Sequence, residues 1–282
     1  RQRQMCIRDS STTDLATLVM RMKENNPDRV IYLADARQSM HFIQVFRCAR
    51  KTGIVPDTTE LVHIGFGTMN GKDGKPFKTR DGGVMRLEYL LKEIDDEMLN
   101  KIKENQKEKE NLNIDEAEAE QTAKTVALAA VKYGDLSNQA SKDYIFDIDR
   151  FTSFEGNTGP YILYTIVRIK SILSKYEAKG GDISALKDAI MPAVNAGQKN
   201  LMLSLAKFNA TIESAYEESA PHKICAYIYE LANAFNGFYH DTKILSEENE
   251  ELKKSYISLL VLTKEILEAC IDMLGFSAPD RM

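Results

Sequence analysis

Residues 29–66 read RVIYLADARQSMHFIQVFRCARKTGIVPDTTELVHIGF, and this stretch decides the fold class. Residues 29–35 and 59–66 are continuous apolar runs with the length of buried strands. Between them, residues 39–51 repeat apolar side chains at helical spacing. The order strand, helix, strand predicts a parallel pair whose carboxyl ends lie at one edge of a sheet.

Two loops, residues 35–38 and 67–83, follow these predicted strands. Because open α/β sheets bind ligands at the carboxyl ends of their strands, we expect both loops to line one site. The second loop contains NGKDGKPFKTRDGG, in which glycines are interleaved with basic side chains. Backbone N–H groups and mobile cations of this kind suit a polyphosphate, although the spacing of a Walker loop is absent. A solvated turn is the alternative interpretation.

Helical patterns dominate the rest of the chain. They cover residues 84–105, 160–179, 183–213 with an interruption near Pro192 and Gly197, 221–239 and 247–274. An alanine-rich helix is also expected to end at Gly134 as its C-cap. Near the start, residues 11–14 read STTD and are expected to cap a short amphipathic helix. Residues 143–151 alternate like a half-buried strand or an extended connector. A boundary near residue 155 is predicted between a mixed α/β part and a helical bundle.

The composition limits the class of protein. A chain of 282 residues with 43% apolar and 28% charged side chains can bury one or two cores, and its apolar runs are far shorter than the roughly 20 residues of a membrane span. The cysteines form no C-x-x-C pair and the four histidines have no i, i+4 partner, so neither a zinc site nor a disulfide framework is predicted. A reducing cytosol is favoured. With a net charge of -5, a nucleic-acid partner would be held by local patches.

Two predicted helices carry side chains that suit RNA. Tyr161, Tyr164 and Arg168 share one face of the first, and Tyr229, Asn233 and Asn236 lie on the second. Rings and amides bind unstacked RNA bases by stacking and by hydrogen bonds to base edges. An ordinary solvent-facing helix surface is the alternative for the second set.

Several blocks of sequence together resemble the carboxyl-terminal half of the bacterial arginyl-tRNA synthetases, a class I family. These blocks, in chain order, are TTDLAT (12–17), ARQSMHFIQ (36–44), FGTMNGKDGKPFKTRDGG (66–83), KYGDLSNQASKDYIFDIDRFTSFEGNTGPY (132–161), YELANAFNGFY (229–239) and LGFSAPDRM (274–282). The resemblance covers essentially residues 11–282. It implies an α/β plus all-α chain: the second half of a Rossmann-like nucleotide-binding domain (11–155), followed by an all-helical, DALR-type anticodon-binding domain (156–282).

The resemblance also implies an activity, namely ATP-dependent activation of arginine and its transfer to tRNA(Arg). Expected partners are tRNA(Arg), arginine and ATP with Mg²⁺ as its counter-ion, in a cytoplasmic monomer without membrane contact or protein-bound metal. The site residues it implies are, for catalysis, Lys75, Lys78, Thr79 and Arg80; for arginine, Asp14 and Gln38; for ATP, His63, Phe66 and Gly67; and for tRNA, Tyr161, Tyr164, Arg168, Tyr229, Asn233 and Asn236. A carboxylate at Asp14 suits a guanidinium because the two can pair through two hydrogen bonds.

Two departures from the family pattern affect this interpretation. A tyrosine usual four residues before Asp14 would fall at Ser10, and residues 1–10 are interpreted as a non-native tail. The family's H-I-G-H signature has no counterpart, because HIGF at residues 63–66 lies in the second strand. The chain is therefore expected to be an amino-terminally truncated ligase that is inactive alone. The alternatives are a stand-alone tRNA-binding helical module and cysteinyl specificity, which Asp14 and the lack of a zinc cluster disfavour.

Overall fold

The computed structural model describes residues 2–72, 74–75, 87–108, 116–186 and 189–282. The helices are α1 (Gln2–Asn25), α2 (Ser39–Lys51), α3 (Leu87–Glu108), α4 (Glu116–Leu136), α5 (Ile148–Phe151), α6 (Gly159–Glu177), α7 (Ala196–Ala206), α8 (Phe208–Glu217), α9 (Pro221–Asp241) and α10 (Glu250–Met273). The strands are β1 (Arg29–Asp35), β2 (Glu60–Phe66), β3 (Met69–Asn70) and β4 (Tyr144–Ile145), and 3-10 turns occupy Ala36–Gln38, Ser184–Leu186 and Ile244–Ser246.

The chain divides into two compact units. The sheet unit comprises Arg1–Asn70 with Ala140–Tyr144, and the helical unit comprises Gly71–Gln139 with Ile145–Met282. Helices α3 and α4 therefore pack within the helical unit, although the sequence placed them before its boundary near residue 155.

The sheet unit is built on the expected β-α-β element. Strands β1 and β2 pair in parallel, with Tyr32 opposite His63 and Asp35 opposite Phe66. One face of the pair packs against α1 and α2, in a core made of Leu18, Val30, Val45, Ala49 and Val55. The pairing confirms the predicted strand, helix, strand order and starts both following loops at the same edge.

Helix α1 begins earlier than the sequence indicated. The STTD stretch was expected to cap it, but the helix runs from Gln2 through Asn25. Within it, the Thr17 hydroxyl donates to the Thr13 carbonyl oxygen at 2.8 Å. The prediction of a cap at residues 11–14 was wrong because a threonine hydroxyl can also bond a carbonyl four residues back inside a helix.

The helical unit has a continuous apolar centre between α4, α6, α9 and α10. Its fully buried side chains include Ile162, Ile166, Leu231, Phe235, Leu260 and Leu267. At one end of this centre, the Tyr133 hydroxyl lies 2.5 Å from Asn157 Oδ1 and 2.8 Å from the Cys225 carbonyl oxygen. Burial raises the pKa of Tyr133, so its hydroxyl keeps its proton and can donate.

Two further local expectations, for Gly134 and for residues 143–151, were wrong. Gly134 lies inside α4, which ends at Leu136, rather than at its C-cap. A Cβ on Gly134 would lie 2.5 Å from the Phe151 ring, so the glycine is explained by close packing. Within residues 143–151 the only strand is the two-residue β4, and the last four residues form α5. Asp147 caps α5 by accepting hydrogen bonds from the backbone N–H groups of Asp149 and Arg150. The Asp147 cap favours a helix at a position where the alternating pattern predicts a strand.

The cysteines whose side chains the structure describes are Cys48, Cys225 and Cys270, and these three are free. Burial raises the pKa of the Cys225 and Cys270 thiols to about 12. In the part of the chain that the structure describes, no three His, Cys, Asp or Glu side chains are grouped as metal ligands. Over the same residues, no helix combines the length and the apolar character needed to cross a bilayer.

Gly134→Ala tests the close packing of α4 on Phe151. The substitution is expected to lower the free energy of unfolding by about 1–3 kcal/mol, because crowding the ring outweighs the helix propensity gained. The matched control is Gly237→Ala in α9, where nothing lies within 4 Å of the added Cβ, and which should instead stabilise by up to about 1 kcal/mol. Urea unfolding followed by circular dichroism measures both, and stabilisation by Gly134→Ala would contradict the packing argument.

Candidate functional site

The loop after β1 folds back on itself. Asp35 accepts hydrogen bonds from Arg37 at its backbone N (2.8 Å), Nε (2.8 Å) and Nη2 (2.6 Å). These bonds to the Arg37 side chain and backbone lower the pKa of Asp35 to about 2. Gln38 precedes α2, and its exposed side chain makes no capping hydrogen bond. The Gln38 side chain is therefore accessible to solvent at the turn that follows β1.

The end of β2 is fixed by the segment that contains β4. Gly67 N–H donates to the Ala140 carbonyl oxygen at 2.8 Å, and Thr68 N–H donates to Asp143 Oδ1 at 2.6 Å. A Cβ on Gly67 would lie 2.4 Å from the carbonyl carbon of Lys142, so only glycine permits this approach. The neighbouring Phe66 side chain is 42% exposed.

His63 occupies a different environment from Phe66 and Gly67. It lies within β2 on the side covered by α2, where its ring stacks on Phe42 at 4.7 Å between centroids. Its Nε2 atom is buried and has no hydrogen-bond partner among the described residues. The assignments of His63, Phe66 and Gly67 to ATP stay predictions, and of the three only His63 faces α2 rather than the edge.

Asp14 lies against the first turn of α2. Its Oδ2 atom is 2.6 Å from His41 Nε2, and the two side chains are 25% and 22% exposed. Gln38 precedes His41 by three residues, so the two residues assigned to arginine, Asp14 and Gln38, are brought to the same end of α2. Sequence reasoning missed His41, since nothing in its local pattern indicates a contact with a residue 27 positions away.

The glycine-lysine loop, residues 70–83, is described only at its start, and Lys78, Thr79 and Arg80 lie outside the described residues. Gly71 N–H donates to the Lys75 carbonyl oxygen at 2.8 Å, which closes a turn that leaves the Lys75 side chain exposed. Lys72 Nζ lies 2.7 Å from Asp149 Oδ2 and 3.0 Å from Asp147 Oδ1. These contacts raise the pKa of Lys72 and lower that of Asp149. The acidic pair was missed because residues 143–151 were expected to be extended.

The residues expected to contact tRNA form one connected surface on α6 and α9. The Tyr161 hydroxyl donates to Asn233 Oδ1 at 2.7 Å and accepts from Asn236 Nδ2 at 2.9 Å. Arg168 Nη1 donates to Asn236 Oδ1 at 2.7 Å, and the Tyr161 and Tyr229 rings meet edge to face at 5.8 Å. The two helical faces identified in the sequence are therefore joined by hydrogen bonds and ring contacts.

Arg168 also links this surface to two aromatic rings. Its guanidinium lies 4.8 Å from the centre of the Tyr164 ring and 5.4 Å from that of Tyr239. Tyr239, which the sequence interpretation did not select, is 41% exposed. A groove of about 1240 Å³ runs beside these three side chains and is also lined by Lys170 and Lys264, whose amines lie 3.2–3.6 Å from the carboxylates of Glu268 and Asp280. The surface thus combines cations with aromatic faces, the chemistry that single-stranded nucleic acid requires.

A β-α-β element whose two loops start at the carboxyl edge of the strands, followed along the chain by a helical bundle, is the arrangement expected for a class I aminoacyl-tRNA synthetase. Residues 8–148 match the family of tRNA synthetases class I (R), catalytic domain, and residues 162–282 match the DALR anticodon binding domain. The chain belongs to the class I (R) tRNA synthetases. This result confirms the resemblance and the α/β plus all-α fold class.

Proteins similar to this one align with most of its length. The arginine–tRNA ligase of Alkaliphilus oremlandii is 54% identical over 272 residues, and that of Francisella tularensis is 44% identical over 273; each match covers 96% of this chain and 45% of the relative. The solved arginyl-tRNA synthetase of Plasmodium falciparum superposes with a TM-score of 0.79 at 28% identity, over 96% of this chain and 44% of that one. The Thermus thermophilus arginyl-tRNA synthetase, at 24% identity and a TM-score of 0.72 over 90% of this chain and 41% of that one, supports the fold alone. The chain spans less than half the length of these relatives.

Asn236→Ala tests whether the α6–α9 surface is held by its hydrogen bonds. Asn236 bonds both Tyr161 and Arg168, so its loss is expected to lower the free energy of unfolding by about 1–3 kcal/mol. Asn233→Ala, at an exposed position on the same helix that accepts one bond, should change it by less than about 0.5 kcal/mol. Equal effects of the two substitutions in urea unfolding would contradict a network centred on Asn236.

Proposed function

We propose that this chain is part of an arginine–tRNA ligase, which activates arginine with ATP and transfers the arginyl group to tRNA(Arg). The observation that carries the proposal is the placement of the Asp14 carboxylate beside the first turn of α2, the turn that directly follows Gln38. The chain that holds these two residues belongs to the class I (R) family. A part-buried carboxylate can pair through two hydrogen bonds with a guanidinium group. The relatives are named arginine–tRNA ligases, which supports arginine as the amino acid substrate.

Different residues of the sheet unit are proposed to bind arginine and ATP. Asp14 and Gln38 bind the arginine side chain. Phe66 and Gly67 contact ATP, with the exposed Phe66 ring as a surface for the base and Gly67 allowing close backbone approach. His63 belongs to the same proposed ATP site, but its ring stacks on Phe42 on the α2 side, so it lies behind the sheet edge.

The glycine-lysine loop is proposed to stabilise the pyrophosphate that leaves when the arginine carboxylate attacks the α-phosphate. Lys75, Lys78 and Arg80 supply the positive charge, and Thr79 shapes the loop. Cations placed at developing negative charge are the usual source of electrostatic catalysis.

The helical unit is proposed to bind tRNA(Arg) through the α6–α9 surface. Asn236 uses its amide for internal bonds to Tyr161 and Arg168, so it holds the surface rather than reading a base. The faces of Tyr164 and Tyr239 and the Arg168 cation are the groups suited to stacking and phosphate contact.

The remaining properties follow from the same proposal. The protein is proposed to work in the cytoplasm as a monomer, with Mg²⁺ arriving as the counter-ion of ATP rather than as a protein-bound metal. The second candidate function is a stand-alone tRNA-binding module without catalysis, which the connected α6–α9 surface favours because it requires only the helical unit.

The first test is catalytic reconstitution. With tRNA(Arg) present, the chain alone is expected to give no arginine-dependent ATP–pyrophosphate exchange, because its sequence contains no H-I-G-H segment and each lost charge-stabilising contact costs about 10²–10³ in rate. Adding the portion of the Alkaliphilus oremlandii relative that lies outside the match should restore exchange. Binding of tRNA(Arg) without restored exchange would favour the stand-alone module instead.

The second test concerns the tRNA surface. Arg168→Gln is expected to weaken binding of tRNA(Arg) about threefold to tenfold and to reduce the salt dependence of binding by about one unit of log K per log salt. Lys207→Gln makes the same charge change at an exposed lysine 3.6 Å from Glu230, and should alter affinity much less. Fluorescence anisotropy at several salt concentrations measures both, and equal losses would indicate only a long-range charge effect.

A further inference from the structure

The contact between Asp14 and His41 joins two helices across the sheet unit. Asp14 lies on α1 and His41 on α2, and their side-chain atoms Oδ2 and Nε2 are 2.6 Å apart. We infer that His41 is a positioning residue that fixes the orientation of the Asp14 carboxylate for the guanidinium group of arginine. This inference rests on the proposed function and adds a residue to its specificity site.

The chemistry of the two groups fixes the direction of the hydrogen bond. An ionised carboxylate can only accept, so His41 Nε2 carries the proton and donates it to Asp14 Oδ2. A carboxylate offers about four lone-pair directions, and one bond to Oδ2 leaves Oδ1 able to accept from a guanidinium N–H. His41 therefore orients Asp14 without using up its capacity to bind arginine.

The imidazole is itself held by packed aromatic rings. The His41 ring meets Phe42 edge to face, at 5.2 Å between centroids and 76° between planes. Phe42 is only 5% exposed and contacts the rings of His63 at 4.7 Å and Tyr32 at 5.0 Å. A donor attached to such a cluster loses little conformational freedom when it binds Asp14, which is the condition for preorganisation.

Another charged side chain of α1, Arg21, contacts Tyr32, whose ring packs on Phe42. The Arg21 guanidinium, also on α1, lies 5.0 Å from the centre of the Tyr32 ring. Burial raises the pKa of Tyr32, so its hydroxyl stays neutral and adds no charge beside Asp14. Arg21 is occupied with the tyrosine ring, and the hydrogen bond that sets the carboxylate plane comes from His41.

Two substitutions of His41 separate positioning from simple packing. In His41→Gln the amide nitrogen falls where Nε2 was and can donate to Asp14, whereas in His41→Asn the shorter side chain places it near the former Nδ1, out of reach. Both replacements remove the ring and its contact with Phe42. A purely structural role would therefore be impaired by both.

The kinetic test uses the reconstituted exchange assay with arginine as the varied substrate. His41→Asn is expected to raise the KM for arginine about tenfold with the KM for ATP unchanged, as loss of a hydrogen bond to a charged group predicts. His41→Gln should return the KM for arginine to within about threefold of the wild-type value. An Asp14→Ala variant, which removes the carboxylate itself, is the positive control.

The outcomes distinguish this inference from the proposed function. A raised arginine KM in Asp14→Ala but not in His41→Asn overturns the role of His41 and leaves the proposed function standing, and equal impairment by Gln and Asn at position 41 also overturns it. An unaltered KM in Asp14→Ala overturns the arginine site and the inference with it.

A spectroscopic test on the chain alone covers the case in which exchange is not reconstituted. In the ¹⁵N-labelled protein, a slowly exchanging proton on His41 Nε2 that is lost in Asp14→Ala supports the hydrogen bond. A rapidly exchanging or absent Nε2 proton in the wild-type chain overturns it.

Discussion

The parallel pairing of β1 with β2 is the constraint on which the candidate site depends. Its register sets Asp35 opposite Phe66, so the loops that follow both strands start at one edge. Two strands alone would be unstable in water, and the pair is held by the apolar face that it buries against α1 and α2. Because both helices lie on that face, Asp14 and His41 can meet although they belong to different elements.

The α6–α9 surface depends on a different balance of forces. The interface beneath it is apolar, with Ile162 and Phe235 fully buried, and hydrogen bonds join the two helices only at the edge. Buried apolar area supplies the stability, and the polar groups fix which side chains face outward. The amides of this surface already bond the Tyr161 hydroxyl and the Arg168 guanidinium before a partner arrives, and side chains held in this way lose less conformational entropy on binding.

The environment of Lys72 changes the electrostatic interpretation of the glycine-lysine loop. Counted along the sequence, the loop is strongly cationic, yet Lys72 is shared between Asp147 and Asp149. A polyphosphate would have to compete with these carboxylates for Lys72, although exposed ion pairs of this kind contribute only about 0–1 kcal/mol. Lys72 therefore offers a polyphosphate less free positive charge than the composition of the loop indicates.

The sequence by itself determined the order of strands and helices, the family, and the candidate residues on α6 and α9, because each depends on periodicity or on a run of neighbouring residues. Only the tertiary structure decided that His41 bonds Asp14, that Lys72 meets an acidic pair, and that Gly134 packs inside α4 rather than ending it. Their partners lie 27, 77 and 17 residues away in the chain, and a contact at such a distance is set by how elements pack rather than by local propensity.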